Sequence, residues 1–182
     1  MIFSILVTSL LVGSATMGAN GAEILDSEIT FDKGKIDYRF NARVDLPKET
    51  VLGILTDYRY LPRLNKHIKS SAQLSSEARV IRVFKLEKCI VSFCFNLNFG
   101  EEIQFELNGI KLRIIKNRSS FHSGSATWRI EEFSKNQSLI FIDGQLEPKF
   151  WIPPVIGLYF LDKVFNEQIA ATVKNVEKLS PQ

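Results

Sequence analysis

The chain is poor in the residues that usually announce a chemistry. It has two cysteines and two histidines, too few for a four-ligand structural zinc site unless carboxylates help. Cys89 and Cys94 do not have the spacing of a Cys-x-x-Cys redox motif. His67 and His122 have no His-x-x-x-His or carboxylate spacing around them, so neither is read as a metal ligand and no metal is expected. There is no Gly-x-Gly-x-x-Gly and no P-loop, and Gly124-Ser125 lacks the rest of a nucleophile elbow. No cofactor is therefore expected. A net charge of +3 is too small to imply nucleic acid, and none is expected as a partner. Ten glycines and six prolines exclude collagen-like or low-complexity character. Finally, residues 1–21 contain no Asp, Glu, Lys or Arg.

That last absence is a pattern in itself. Ile2-Phe3-Ser4-Ile5-Leu6-Val7 opens an apolar run that reaches Ala15 with only small polar interruptions. Ala19-Asn20-Gly21 then places small residues where a signal peptidase cuts. The stretch is short and diluted for a permanent membrane span. Residues 1–21 are expected to be a secretory signal and residues 22–182 one folded domain, periplasmic or secreted after cleavage near Gly21. Export changes the meaning of Cys89 and Cys94, because an oxidising compartment allows a disulfide. Along a straight strand the two would be roughly 17 Å apart at ~3.4 Å per residue. A disulfide needs Cα atoms within ~7 Å. Bonding thus requires Ile90-Val91-Ser92-Phe93 to turn back on itself. Two buried free thiols are the alternative.

What the chain does have is phenylalanine, fourteen of them, and clear periodicity. Ile36, Tyr38, Phe40, Ala42, Val44 and Leu46 alternate with polar residues, the period of a half-buried strand. An earlier strand, Ile24 to Phe31, is joined to it by the turn residues Asp32-Lys33-Gly34-Lys35. Pro47 opens a helix over Lys48–Tyr58, and a second short helix covers Pro62–His67. Strands follow at Lys69–Ser75, Arg79–Glu87, Phe95–Leu107, Ile110–Asn117, Ser123–Glu132 and Leu139–Glu147, with Asn108-Gly109 as a hairpin turn. Short connections between them imply an antiparallel meander. After Pro153-Pro154, one long helix runs to about Leu179. Leu158, Leu161, Phe165, Ile169, Thr172, Val176 and Leu179 share one of its faces, with Lys163, Glu167, Lys174 and Lys178 opposite. Such a helix needs an apolar surface, and the curved sheet is the only candidate. The class is α+β, with one domain.

This order brings a resemblance. Ile54-Leu55-Thr56-Asp57-Tyr58-Arg59-Tyr60-Leu61-Pro62-Arg63-Leu64-Asn65 resembles the first helical segment of the START-like, polyketide cyclase/dehydrase (SRPBCC) superfamily. Phe150-Trp151-Ile152-Pro153-Pro154 and the strand Ser125-Ala126-Thr127-Trp128-Arg129-Ile130 are similar to it as well. The resemblance covers about residues 25–179. It implies a helix-grip fold, a curved antiparallel sheet wrapped around the C-terminal helix with an apolar cavity between them. It also implies a hydrophobic ligand such as a lipid, sterol, quinone or polyketide. A minority of such proteins are cyclases or other enzymes. Catalytic residues are not shared across the superfamily, so none is assigned.

The residues themselves suggest where a ligand would touch. In the strand Phe95–Leu107 one face is Phe95, Leu97, Phe99, Glu101, Ile103, Phe105 and Leu107, apolar except for Glu101. A carboxylate turned inward needs a partner or a raised pKa, and it could bind a ligand hydroxyl or act as a general acid or base. A structural ion pair with a sheet arginine is the plainer reading. Tyr58, Tyr60, Phe95, Phe99, Phe105, Trp128, Phe141, Trp151 and Phe165 lie on the elements expected to face the cavity, where they line a void or fill it. Phe150, Trp151, Ile152, Ile156, Tyr159, Phe160 and the Ile90–Phe93 turn form a greasy end. With Arg59, Arg63, Lys66, Lys85 and Lys88 nearby, this end suits transient contact with a membrane surface. Lys111, Arg113, Lys116 and Arg118 read as a solvated strand face.

Three functions follow as expectations. The first is an exported binding module for a hydrophobic small molecule. The second is a cyclase or dehydratase using Glu101, with Asp143 or Asp162 as a second carboxylate. The third is an interaction protein whose cavity is filled by its own side chains.

Overall fold

The computed structural model describes residues 21–76, 79–90, 93–152 and 157–179. The expected signal segment, apart from Gly21, lies outside these residues, as do Pro153-Pro154, Ile156 and the turn residues Val91-Ser92.

β1 (Glu23–Asp32) and β2 (Lys35–Val44) form a hairpin with Asp32 opposite Lys35. The turn between them needs two residues at positive φ, and Lys33 (48°) and Gly34 (79°) supply them. Pro47 caps α1 (Lys48–Thr56), and its carbonyl accepts from Val51 N–H at 3.1 Å. A single 3₁₀ turn, Tyr58–Tyr60, leads into α2 (Leu61–Leu64). This second helix is shorter than its sequence suggests. The Asn65 backbone is extended, and its side-chain carbonyl accepts from His67 N–H at 2.9 Å, which turns the chain into the sheet.

Six strands follow: β3 (Ile68–Ser76), β4 (Arg79–Ile90), β5 (Phe93–Glu106), β6 (Gly109–Ile114), β7 (Phe121–Ser134) and β8 (Gln137–Pro148). β6 stops short of Asn117 because Lys116–Arg118 forms a 3₁₀ turn that folds onto β5. Gly100 makes that possible. Arg118 occupies the space a Cβ would need, and Ile115 N–H donates to Gly100 O at 2.7 Å. Lys116 and Arg118 thus belong to a turn, while Lys111 and Arg113 remain exposed on β6.

All neighbouring strands are antiparallel, in the order β1-β2-β8-β7-β6-β5-β4-β3. β2 pairs with β8, so the segment carrying α1 and α2 spans from one side of the sheet to the other. α3 (Gly157–Lys178) packs against β1 and β2, and against α1 and α2. Its Val173 and Val176 are buried, and Lys163, Glu167, Lys174 and Lys178 are exposed as the periodicity requires.

The core has two packed ends. At one, α1, α2 and the last turns of α3 close on Val44, Ile130 and Ile140. At the other, Ile36, Phe121, Leu146 and Ile152 pack together with Phe150 and Phe165 against them. Phe150 and Ile152 therefore belong to the core rather than to an exposed patch. Their sequence neighbourhood looked exposed because the residues that cover them include Ile36 of β2 and Phe121 of β7, which are far away in the sequence. Between the two ends, Tyr38, Phe84, Phe99, Ile114, Trp128 and Ile142 face inward yet keep part of their surface accessible.

Cys89 and Cys94 are opposite each other in the β4–β5 ladder and form a disulfide, with Cα atoms 3.9 Å apart. Neither thiol is free or buried. Closing so small a loop contributes about 2 kcal/mol in the chain-entropy model. Cys89→Ser/Cys94→Ser should therefore lower the melting temperature by about 4–8 °C in thermal unfolding. An unchanged melting temperature would mean that the ladder alone holds this hairpin.

Candidate functional site

Arg82 is the side chain that the sequence pattern did not single out, and it organises the interior. It lies in the apolar phase of β4, between Val80 and Phe84, and directly opposite Glu101 of β5. Both residues are buried, Arg82 at 2% and Glu101 at 7% exposure. Arg82 Nε and Nη2 donate to Glu101 Oε2 at 3.1 and 2.7 Å, and Nη1 donates to Leu55 O at 3.3 Å. Leu55 lies in the last turn of α1, where carbonyls have no partner within the helix. One guanidinium thus ties together β4, β5 and α1. Its charge rests between rings, 5.7 Å from the centroid of Phe84 and 5.8 Å from that of Trp128.

Two polar atoms in this region are left over. Both Arg82–Glu101 bonds go to Oε2, and no hydrogen bond among the described residues reaches Glu101 Oε1. Trp128 Nε1 is buried and also has no partner among them. Buried polar atoms without partners are rare enough to need a reason. Tyr38 reaches into the same space from β2. Gly144, its cross-strand neighbour, has no side chain to block the ring. Burial, and then the nearby Glu101 charge, hold the Tyr38 phenol far above its usual pKa, so it stays neutral.

The expected ligand-facing residues divide into groups. Phe99, Glu101, Trp128 and Phe165 come together. Phe99 stacks on Phe84 with centroids 4.6 Å apart, and Phe165 lies 5.6 Å from Tyr38. Tyr58 and Tyr60 pack instead on the other core end, where Arg63 sits over the Tyr60 ring at 5.5 Å. Phe141 is on the outer face under Arg129, 4.7 Å from its centroid. Ile140 and Ile142 take the inward phase of β8, so Phe141 must point the other way. Phe105 is at the open end of β5 and is 56% exposed, and Trp151 is 78% exposed. The side chain of Phe95 lies outside the described residues. Asp143 pairs with Arg39 at 2.9 Å on the outer face, and Asp162 accepts from Asn166 at 2.9 Å on the exposed side of α3. Neither carboxylate accompanies Glu101.

Known structures share this arrangement. A START superfamily protein from Mycobacterium smegmatis superposes with a TM-score of 0.60 at 18% identity, covering 78% of this chain and 94% of that one. The ZhuI aromatase/cyclase from Streptomyces sp. R1128 gives 0.63 at 10% identity, covering 79% and 92%. A conserved protein from Geobacillus kaustophilus gives 0.60 at 15% identity, covering 78% and 93%. The fold is START-like. At these identities the likeness extends to the helix-grip architecture and not to a shared chemistry. No protein-family model matches the chain, and no curated protein matches it.

The ion pair makes a sharp energetic prediction. Glu101→Gln or Arg82→Met alone strands a buried charge and should cost about 3–5 kcal/mol. Arg82→Met/Glu101→Leu together should cost far less than the sum, as read by denaturant unfolding of all three variants. Single variants within about 1 kcal/mol of the parent would contradict the burial described here.

Proposed function

We propose that this START-like domain is an exported binding module for a hydrophobic small molecule, of lipid, quinone or polyketide-like character, held between the curved sheet and α3. The observation that carries the reading is the buried Arg82–Glu101 pair, bonded through Oε2 alone, within an interior whose inward rings keep part of their surface accessible. An apolar ligand with one hydroxyl end would donate to the Glu101 carboxylate and bury its remainder against Phe84, Phe99 and Phe165. The partial exposure of the inward rings favours this over an interior filled by its own side chains. A cyclase reading needs a second acid–base group near Glu101, and the surface positions of Asp143 and Asp162 weigh against it. Export rests on the N-terminal pattern and agrees with the Cys89–Cys94 disulfide.

Native mass spectrometry and solvent extraction of the mature protein should recover a bound lipid-like compound. Arg82→Met/Glu101→Leu, if folded, should retain about tenfold less of it. A folded parent that carries nothing, and takes up nothing from a total lipid extract, would remove the proposal. Trp151 and Tyr159, both exposed, provide an apolar edge for transient contact with a lipid surface during loading. Vesicles containing anionic lipid should pellet the parent more than Trp151→Ser. Equal pelleting, or none, would discard membrane contact.

A further inference from the structure

A cleft about 350 Å³ in volume opens outside the interior, between α2, the loop that leads into β3, the end of β4 and α3. Its chemistry is the opposite of the interior's. Arg63, Lys66, His67, Lys88, Glu167 and Gln168 line it, and Pro62 and Ala171 are its only apolar residues. Lys88 Nζ meets Glu167 Oε2 at 3.0 Å, while Arg63 and Lys66 have no carboxylate partner among the described residues. The lining thus has surplus positive charge. Gln168 Oε1 is buried in the same wall with no hydrogen bond among the described residues.

His67 reports on that field. Its Nδ1 lies 3.1 Å from Glu87 O, and a carbonyl only accepts, so Nδ1 carries a proton and donates it. The second ring nitrogen is left as the one that titrates. Burial first, then the Lys88 charge, hold His67 below the usual imidazole range. Lys66 and Lys69 add to this, and the Glu87 carbonyl opposes it. Glu167, across the cleft on α3, is the facing carboxylate, and its own pKa is lowered by its bond to Lys88.

We propose that this cleft binds an organic phosphate, with Arg63, Lys66 and Lys88 around its phosphate group. Several cations around one space suit a dianion with three acceptor oxygens. The volume is at the small end of ligand sites, ~300–1,000 Å³. The assignment does not depend on what the interior holds. The same glycerophosphate chemistry occurs in a free metabolite and in a lipid head group, and the experiment separates the two.

The probe is glycerol-3-phosphate, added to the mature chain while the imidazole signals are followed by NMR across pH. The two histidines make the reading simple, since His122 is exposed on β7 and reports general salt effects. A dianion in the cleft offsets the neighbouring lysines, so the His67 pKa should rise by about one unit while His122 does not follow. Lys66→Gln, at an exposed position, should weaken binding about fivefold. A shift caused by phosphatidylglycerol vesicles but not by free glycerol-3-phosphate would assign the site to a lipid head group. No His67 shift with either probe, an equal shift at both histidines, or one unaffected by Lys66→Gln would overturn the site.

Discussion

The interior depends on a charge that cannot be discharged. A guanidinium keeps its proton at any ordinary pH, so burying Arg82 obliges the fold to bring acceptors to it. Glu101 comes from the adjacent strand and Leu55 O from the end of a helix. Those acceptors belong to elements that are far apart in sequence, so the pair fixes how α1 lies on the sheet as well as how β4 meets β5. An apolar pair of similar volume would hold the same elements without a desolvation cost. What the charged pair adds is direction.

Much of the fold was legible because its periods are clean. The alternation of Ile36 to Val44 and the helical stripe from Leu161 to Leu179 each specify an element and a buried face. Strand ends were less legible where a contact between distant residues decides them. β6 ends where Arg118 settles on Gly100, and nothing near Asn117 announces it. Glu101 stood out as the one carboxylate in an apolar phase. Arg82 stood in an equally apolar phase on β4 and was legible by the same rule. The register that places Cys89 opposite Cys94, continued without a bulge, places Arg82 opposite Glu101. Reading the two cysteines as a register mark would have found the pair. Phe141 and Phe105 were harder, because residue type says that a ring wants cover and only the phase and the reach of the strand say whether it gets it.

The molecule offers two unlike environments a short way apart. The interior presents rings around a buried ion pair, whereas the cleft beside α2 presents cations and an amide. Neither was visible as a motif. Each is assembled from side chains on three or more elements, and a linear pattern cannot show that convergence.

α3 is held differently along its length. Its C-terminal half is fixed by directional bonds: Asn175 Nδ2 donates to Leu64 O at 3.0 Å, and Glu177 Oε1 accepts from Asp45 N–H at 2.8 Å. Its first half leans on the interior mainly through side-chain packing, with Phe165 against Tyr38 and Leu161 near Ile152, and has one exposed ion pair, Glu167 with Lys88, near the middle of the helix. Hydrogen bonds weaken steeply with misalignment, whereas packed rings can slide with smaller loss. Leverage on this helix therefore meets its stiff, hinge-like anchorage at the C-terminal end and its most yielding contacts at the N-terminal end.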